Sequence, residues 1–167
     1  MCAMTIPVEK SFTGLGGTTI VYDVYEPPSA PVGLILVAHG VAEHAGRYHH
    51  VADVLVDLGL RVVVPDHRGH GRSGGKRLVV RDYSEYTSDL DTLRRLELVE
   101  GTPTYLLGHS MGGGIALDYA LDHQSSLDAL ILSAPAVMPG DDISPALMKL
   151  AKTVGRYVPS LPGQKLS

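Results

Sequence analysis

Ser110 lies in Gly108-His109-Ser110-Met111-Gly112, a G-x-S-x-G pattern. A serine hydroxyl is a weak nucleophile at its own pKa. It attacks a carbonyl only when a general base takes its proton and N–H donors receive the oxyanion. The flanks decide whether the pattern means anything. Thr104 to Leu107 is a short apolar β-type run. Ile115-Ala116-Leu117 and Tyr119-Ala120-Leu121 then repeat as a helix does. Strand, tight turn and helix are the context of a nucleophile elbow, with the serine strained at the tip and its Oγ exposed above a parallel sheet. Gly108 and Gly112 are expected there because a side chain would strike the neighbouring strand and helix. Gly113 and Gly114 let that helix start close to the sheet.

The oxyanion needs two donors. One is the N–H of the residue after the nucleophile, Met111. The other comes from the loop after the third strand, where Val41 follows His39-Gly40. Both are backbone groups, so neither side chain need be polar. The base is harder to find. His123 is the only histidine after Ser110. About twelve residues of helix put it ~18 Å away, too far to serve. His109 is adjacent to Ser110 but points to another side of the turn, as a packed or hydrogen-bonded elbow residue.

Other signals carry less chemistry. Gly69-His70-Gly71-Arg72-Ser73-Gly74 fits G-x-G-x-x-G. Asp66-His67-Arg68 separates it from the preceding strand, and no helix pattern opens after it, as a dinucleotide site requires. His44, His49, His50, His67 and His70 match no zinc spacing, and no cysteine joins them. They read as loop and helix histidines near the carboxyl edge of the sheet. Asp66 precedes Ser110 in the chain, and with Arg68 it reads as an anchor of a tight loop. Glu43 and Arg47 can pair to hold the turn that carries Val41.

The elements that must position these residues follow from periodicity. Val8–Phe12 and Thr18–Tyr25 read as two strands around a glycine turn at residues 14–17. Val32–Ala38 and Leu60–Val64 are apolar without alternation, as strands covered on both faces are. Tyr48, Val51, Ala52, Leu55 and Leu58 have helical spacing before Gly59. Asp82 with Glu85 predicts a capping box, opening a helix that buries Tyr86, Leu90, Leu93 and Leu96. Ala129–Ser133 predicts a further short strand. Alternating strand and helix give an α/β class with a largely parallel sheet. After Pro135 the alternation stops, and Ile143, Leu147, Leu150, Val154 and Val158 form a helical apolar stripe. This predicts two parts: 1–135, the sheet and its helices, and 136–167, the beginning of an insertion above the sheet. The stripe is expected over the elbow, although a core-packed amphipathic helix fits it as well.

Three stretches together are more specific than the elbow alone. They are His39-Gly40-Val41-Ala42-Glu43-His44-Ala45-Gly46-Arg47-Tyr48, Asp66-His67-Arg68-Gly69-His70-Gly71-Arg72-Ser73 and Gly108-His109-Ser110-Met111-Gly112-Gly113. The chain resembles the monoacylglycerol lipases of the α/β-hydrolase fold, most of all the bacterial, mycobacterial-type members, from about residue 10 onward. The resemblance implies an α/β-hydrolase sheet with flanking helices, cut after its sixth strand and the start of the cap. It implies hydrolysis of monoacylglycerols to glycerol and fatty acid, with no cofactor and no metal. Ser110 would be the nucleophile, with Val41 and Met111 as oxyanion donors. The segment after Pro135 would begin a lipid-facing cap, through which peripheral membrane contact would run.

The departure from that family lies in the triad, whose order is Ser, then Asp or Glu, then His. Neither the triad Asp nor the triad His is found in this chain. The 167 residues by themselves are therefore expected to be inactive, and poorly soluble if the outer edge of Ala129–Ser133 stays uncovered. The alternative is a non-catalytic chain that keeps the first half of the fold and binds acyl ligands or a partner. Composition narrows the rest. A net charge of −4 and a pI of about 6.0 argue against nucleic acid. Cys2 is the single cysteine, so no internal disulfide forms. The N-terminus shows no secretory signal and no apolar run is long enough to span a bilayer. The expected setting is cytoplasmic or peripherally membrane-associated.

Overall fold

The run Gly33–Ala38 is buried at all six positions and forms β3, the middle of a mostly parallel sheet. The computed structural model describes residues 5–137, all of which except Val137 belong to one compact unit, Met1–Ala136. In chain order the elements are β1 (Val8–Thr13), β2 (Thr19–Tyr25), β3, α1 (His49–Asp57), β4 (Leu60–Pro65), α2 (Ser84–Glu97), β5 (Thr104–His109), α3 (Met111–Asp122) and β6 (Ala129–Ser133). Short 3-10 turns occupy Leu15–Gly17, Ala45–Tyr48 and Gln124–Ser126. The expected cap helix lies outside the described residues.

The sheet order is β1-β2-β4-β3-β5-β6. β1 and β2 form an antiparallel hairpin, and β2 runs antiparallel to β4. β4, β3, β5 and β6 are parallel, as an unbroken apolar pattern with helical crossovers demands. Alternate residues of β3 serve opposite cores. Leu34 and Leu36 pack with Tyr86, Leu90 and Leu93 of α2 and Ile115 and Tyr119 of α3. Ile35 and Val37 pack with Ala52 and Val56 of α1. The chain thus leaves β3 for α1 on one face and leaves β5 for α3 on the other. The topological switch point therefore falls between the carboxyl ends of β3 and β5, where such folds bind ligands.

Two local expectations fail. Asp82 and Glu85 make no reciprocal capping box. Asp82 Oδ1 accepts the Ser84 N–H at 2.9 Å, while the Glu85 carboxylate pairs with Arg68 at 2.7 Å. The buried stripe of α2 is Tyr86, Leu90, Leu93 and Glu97, and Leu96 is exposed. Spacing alone allows either end position. Glu97 takes it because Lys10 Nζ and the Tyr22 hydroxyl, from the N-terminal hairpin, donate to its carboxylate at 2.9 and 2.8 Å. Among the described residues, no helix is long and apolar enough to cross a membrane.

Candidate active site

Ser110 sits at the end of β5, where the strand breaks directly into α3. Its backbone is at φ +51° and ψ −118°, a conformation that costs an L-residue about 1–3 kcal/mol and persists only when its surroundings impose it. Three backbone bonds do so. The Ser110 N–H donates to Ser133 O at 3.0 Å, and the Ser110 carbonyl accepts from Gly114 at 3.1 Å and Ala136 at 2.8 Å.

The flanking glycines are there for close approach. A Cβ on Gly108 would fall 2.7 Å from Gly113 Cα and 2.8 Å from Ala116 Cβ, inside the first turns of α3. On Gly112 it would fall onto the Ala38 and His39 carbonyls at the end of β3. The helix start is therefore pressed against both strands. Its N-terminus, with unpaired N–H groups and the positive end of the dipole, lies beside Ser110.

The turn after β3 meets the elbow from the other side. Ala38 is in register with Gly108, which sets Gly40 beside Ser110. A Cβ on Gly40 would come 3.1 Å from Glu43 Oε2 and 3.3 Å from Ser110 Cβ, so a side chain there would crowd both the turn and the elbow. Glu43 fixes this turn. Its Oε2 accepts the Gly40 N–H and the Tyr48 hydroxyl, both at 2.9 Å, and its Oε1 is 3.4 Å from Arg47 Nε. Burial disfavours the ionised carboxylate, but those donors, the Arg47 charge and the field of His109 outweigh it and hold its pKa below the ordinary value. Val41 is partly exposed at the tip. Among the described residues, neither the Val41 nor the Met111 N–H makes a hydrogen bond.

Behind the turn is a buried cluster of histidines that the spacing did not disclose as a cluster. His39 Nδ1 donates to Gly40 O at 2.7 Å, and its Nε2 accepts the His67 N–H at 3.0 Å. The His67 and His70 rings lie 4.3 and 5.2 Å from the His39 ring. Burial pushes His39 down to about 4, with the His70 field in the same direction and Gly40 O, Asp66 and Glu43 opposing. Burial also lowers His67 far below its ordinary value, and it lowers His70. All three are neutral at pH 7. Both ring nitrogens of His39 are engaged, which ties the end of β3 to the loop after β4.

Asp66 and Arg68 anchor that loop, each through its own partners. Asp66 accepts the Ala45 N–H at 2.6 Å and the Arg72 N–H and Nε at 2.8 Å. Arg68 is held by Asp89 at 2.7 and 2.8 Å and by Glu85 at 2.7 Å. The glycine-rich segment closes on itself, with Gly69 N–H on Gly74 O, and α2 begins only at Ser84. It cannot present a helix N-terminus to a pyrophosphate.

The two histidines that flank α3 face elsewhere. His109 Nδ1 is 3.1 Å from both Ser133 O and Ser133 Oγ. His123, at the far end of α3, bonds Tyr119 O at 3.0 Å and stacks on the Tyr119 ring.

Comparison with known proteins agrees with this architecture. Residues 29–167 match the family described as "Serine aminopeptidase, S33". A monoacylglycerol lipase of Mycolicibacterium smegmatis is 48% identical over 160 residues, covering 95% of this chain and 57% of that protein. A carboxyl esterase from Bacillus coagulans, solved in complex with glycerol, superposes with a TM-score of 0.75 at 30% identity, covering 96% of this chain and 53% of its own. A soluble variant of the Saccharomyces cerevisiae monoglyceride lipase, solved with a substrate analog, gives 0.78 at 26% identity, covering 95% and 54%. The chain spans about half the length of these relatives.

Proposed function

Since this chain belongs to the α/β-hydrolase family, among serine hydrolases that include the monoacylglycerol lipases, we propose that Ser110 is the nucleophile of a carboxylic ester hydrolysis. The substrate class we assign is the monoacylglycerol, released as glycerol and fatty acid. The observation that supports the reading most is the Ser110 backbone at φ +51°, at the carboxyl end of a central parallel strand and facing the Gly40 turn.

In this mechanism Ser110 Oγ adds to the acyl carbonyl, and the carbonyl oxygen takes the negative charge. The Val41 and Met111 N–H groups are the proposed donors to it, each worth about 2.7–4 kcal/mol of transition-state stabilisation. Collapse expels glycerol and leaves the acyl group on Ser110. Water then attacks the acyl-enzyme and frees the fatty acid. A general base must take the hydroxyl proton and give it to the leaving alkoxide. His109, turned to Ser133, and His123, stacked on Tyr119, are not assigned that role. In α/β-hydrolases the orienting carboxylate and the base follow the nucleophile in the chain.

The test pairs a serine-reactive fluorophosphonate with hydrolysis of a long-chain monoacylglycerol. It uses the chain alone and the chain mixed with the C-terminal portion of the Mycolicibacterium smegmatis relative. Alone, the expected rate is at most about 10³–10⁴ over water. The mixture is expected to gain turnover and a phosphonate adduct on Ser110, both lost in Ser110→Ala. Near-normal turnover by that variant would overturn the assignment, and preference for the matching amide over the ester would overturn the substrate class.

A further inference from the structure

The segment leaving β6 runs alongside the elbow. Ser133 O accepts the Ser110 N–H at 3.0 Å, and Ala136 N–H donates to Ser110 O at 2.8 Å. Both polar groups of the Ser110 backbone are thus bonded to a four-residue strap, Ser133–Ala136. The strap is itself strained, with Ala134 at φ +43°. Two left-handed L-residues, Ser110 and Ala134, face each other across these bonds.

One side chain adds a third tie. His109 Nδ1 is 3.1 Å from Ser133 O, the same carbonyl that accepts the Ser110 N–H, and 3.1 Å from Ser133 Oγ. A carbonyl only accepts, so a bond to it requires the proton on Nδ1. A carbonyl has two lone pairs and can take both N–H groups at once. The ring then pins the strap to the residue next to Ser110, while the backbone pins it to Ser110 itself.

We propose that His109 is a positioning residue: acting through the Ser133 carbonyl, its Nδ1–H holds the strap that keeps Ser110 in its strained conformation. This rests on Ser110 being the nucleophile only for its importance, since the tie itself can be measured without turnover. The hydroxyl of Ser133 then donates outward or to water, and it is secondary.

The experiment is NMR on the full 167-residue chain, with long-range proton–nitrogen correlation of the imidazoles and amide hydrogen exchange. His109 is expected as the Nδ1–H tautomer at neutral pH. In His109→Phe, which keeps a ring without a donor, exchange at the Ser110 amide is expected to rise about tenfold, while amides of β3 keep their protection. His109→Asn places an amide N–H near the Nδ1 position and is expected to recover most of that loss. Ser133→Ala, which keeps the carbonyl, is expected to leave the Ser110 amide protected. An Nε2–H tautomer would overturn the proposal, because Nδ1 would then accept from the Ser133 hydroxyl and not bond the carbonyl. So would unchanged exchange in His109→Phe, or equal loss in the Phe and Asn variants. If His109→Phe does not fold, the wild-type tautomer and Ser133→Ala still decide. None of these readings depends on the phosphonate label, so a failure here is distinct from a failure of the nucleophile assignment.

Discussion

Lowering the pH from 7 to 4.5 should destabilise this fold before its carboxylates titrate, because of His39. Its ordinary value is 6.5, and in the fold it is pushed down to about 4, chiefly by burial. An unfolded chain therefore binds the proton first. Above pH 6.5 both states are neutral and the group has no effect. Between 6.5 and about 4 the unfolded state holds more protons, so stability falls with pH. At about 1.4 kcal/mol per pH unit, the whole interval removes about 3 kcal/mol. That is a large part of the 5–15 kcal/mol typical of a domain. His67 and His70, also lowered by burial, act in the same direction. Glu43 and Asp66 are carboxyls held below their ordinary values, so their contribution is lost only at lower pH. Urea unfolding followed by far-UV circular dichroism at pH 7, 5.5 and 4.5 measures the slope. His39→Gln, whose amide can still accept the His67 N–H but does not titrate, should remove about one histidine's share of it. Equal stability of the wild type at pH 6.5 and 4.5, or an unchanged slope in His39→Gln, would refute the reasoning.

Ser110→Gly should raise stability by up to about 1 kcal/mol, since glycine adopts a positive φ freely, and thermal melting checks it. Gly112→Ala should cost about 3 kcal/mol or prevent folding, because the new methyl meets the Ala38 and His39 carbonyls, which are backbone and cannot move aside. Urea midpoints against Gly101→Ala, where the glycine has open space around it but a positive φ, separate collision from backbone strain. Glu97→Ala should cost about 2 kcal/mol by stranding the Tyr22 hydroxyl and the Lys10 ammonium, and it should lower the Tyr22 pKa, seen in an ultraviolet titration.

The elements were legible because apolar runs and helical spacing survive without context. Val32–Ala38 announced a strand covered on both faces, and the glycines around Ser110 announced a turn pressed between strand and helix. Long-range pairing was not legible. Nothing near Glu97 shows that Lys10 and Tyr22 will reach it across the chain, so the periodicity favoured Leu96 for the buried place. Glu85 stands where a capping box wants it, but Arg68, from the loop after β4, competes for its carboxylate and wins. Taken one by one, the histidines read as loop and helix residues. The signal that could have grouped them was available: His39-Gly40 and Asp66-His67-Arg68-Gly69-His70 end two apolar runs, and adjacent parallel strands bring their carboxyl ends together. The Ser133–Ala136 strap left no trace, since its bonds are made by backbone and by a positive φ at alanine.

The strand order has a consequence for how the chain assembles as it is synthesised. Leu34 pairs with Arg61 on one side and with Thr104 on the other. The β1–β2 hairpin closes locally, and β4 follows β3 soon after. The other edge of β3, the most apolar strand, must wait for β5. At 5–20 residues per second that wait is on the order of seconds. Throughout it an apolar edge is open to any other nascent strand, a template for misassembly. Closing so long a loop costs only about 0.6 kcal/mol for each doubling of its length, so the delay is kinetic and not a penalty on the finished fold. The turn at Ser110 cannot form until β5 has docked and the strap after β6 has arrived. The Ser110 turn is thus set only once the strand β6 and the residues after it are in place, and a chain that stalls before then carries the motif without the geometry.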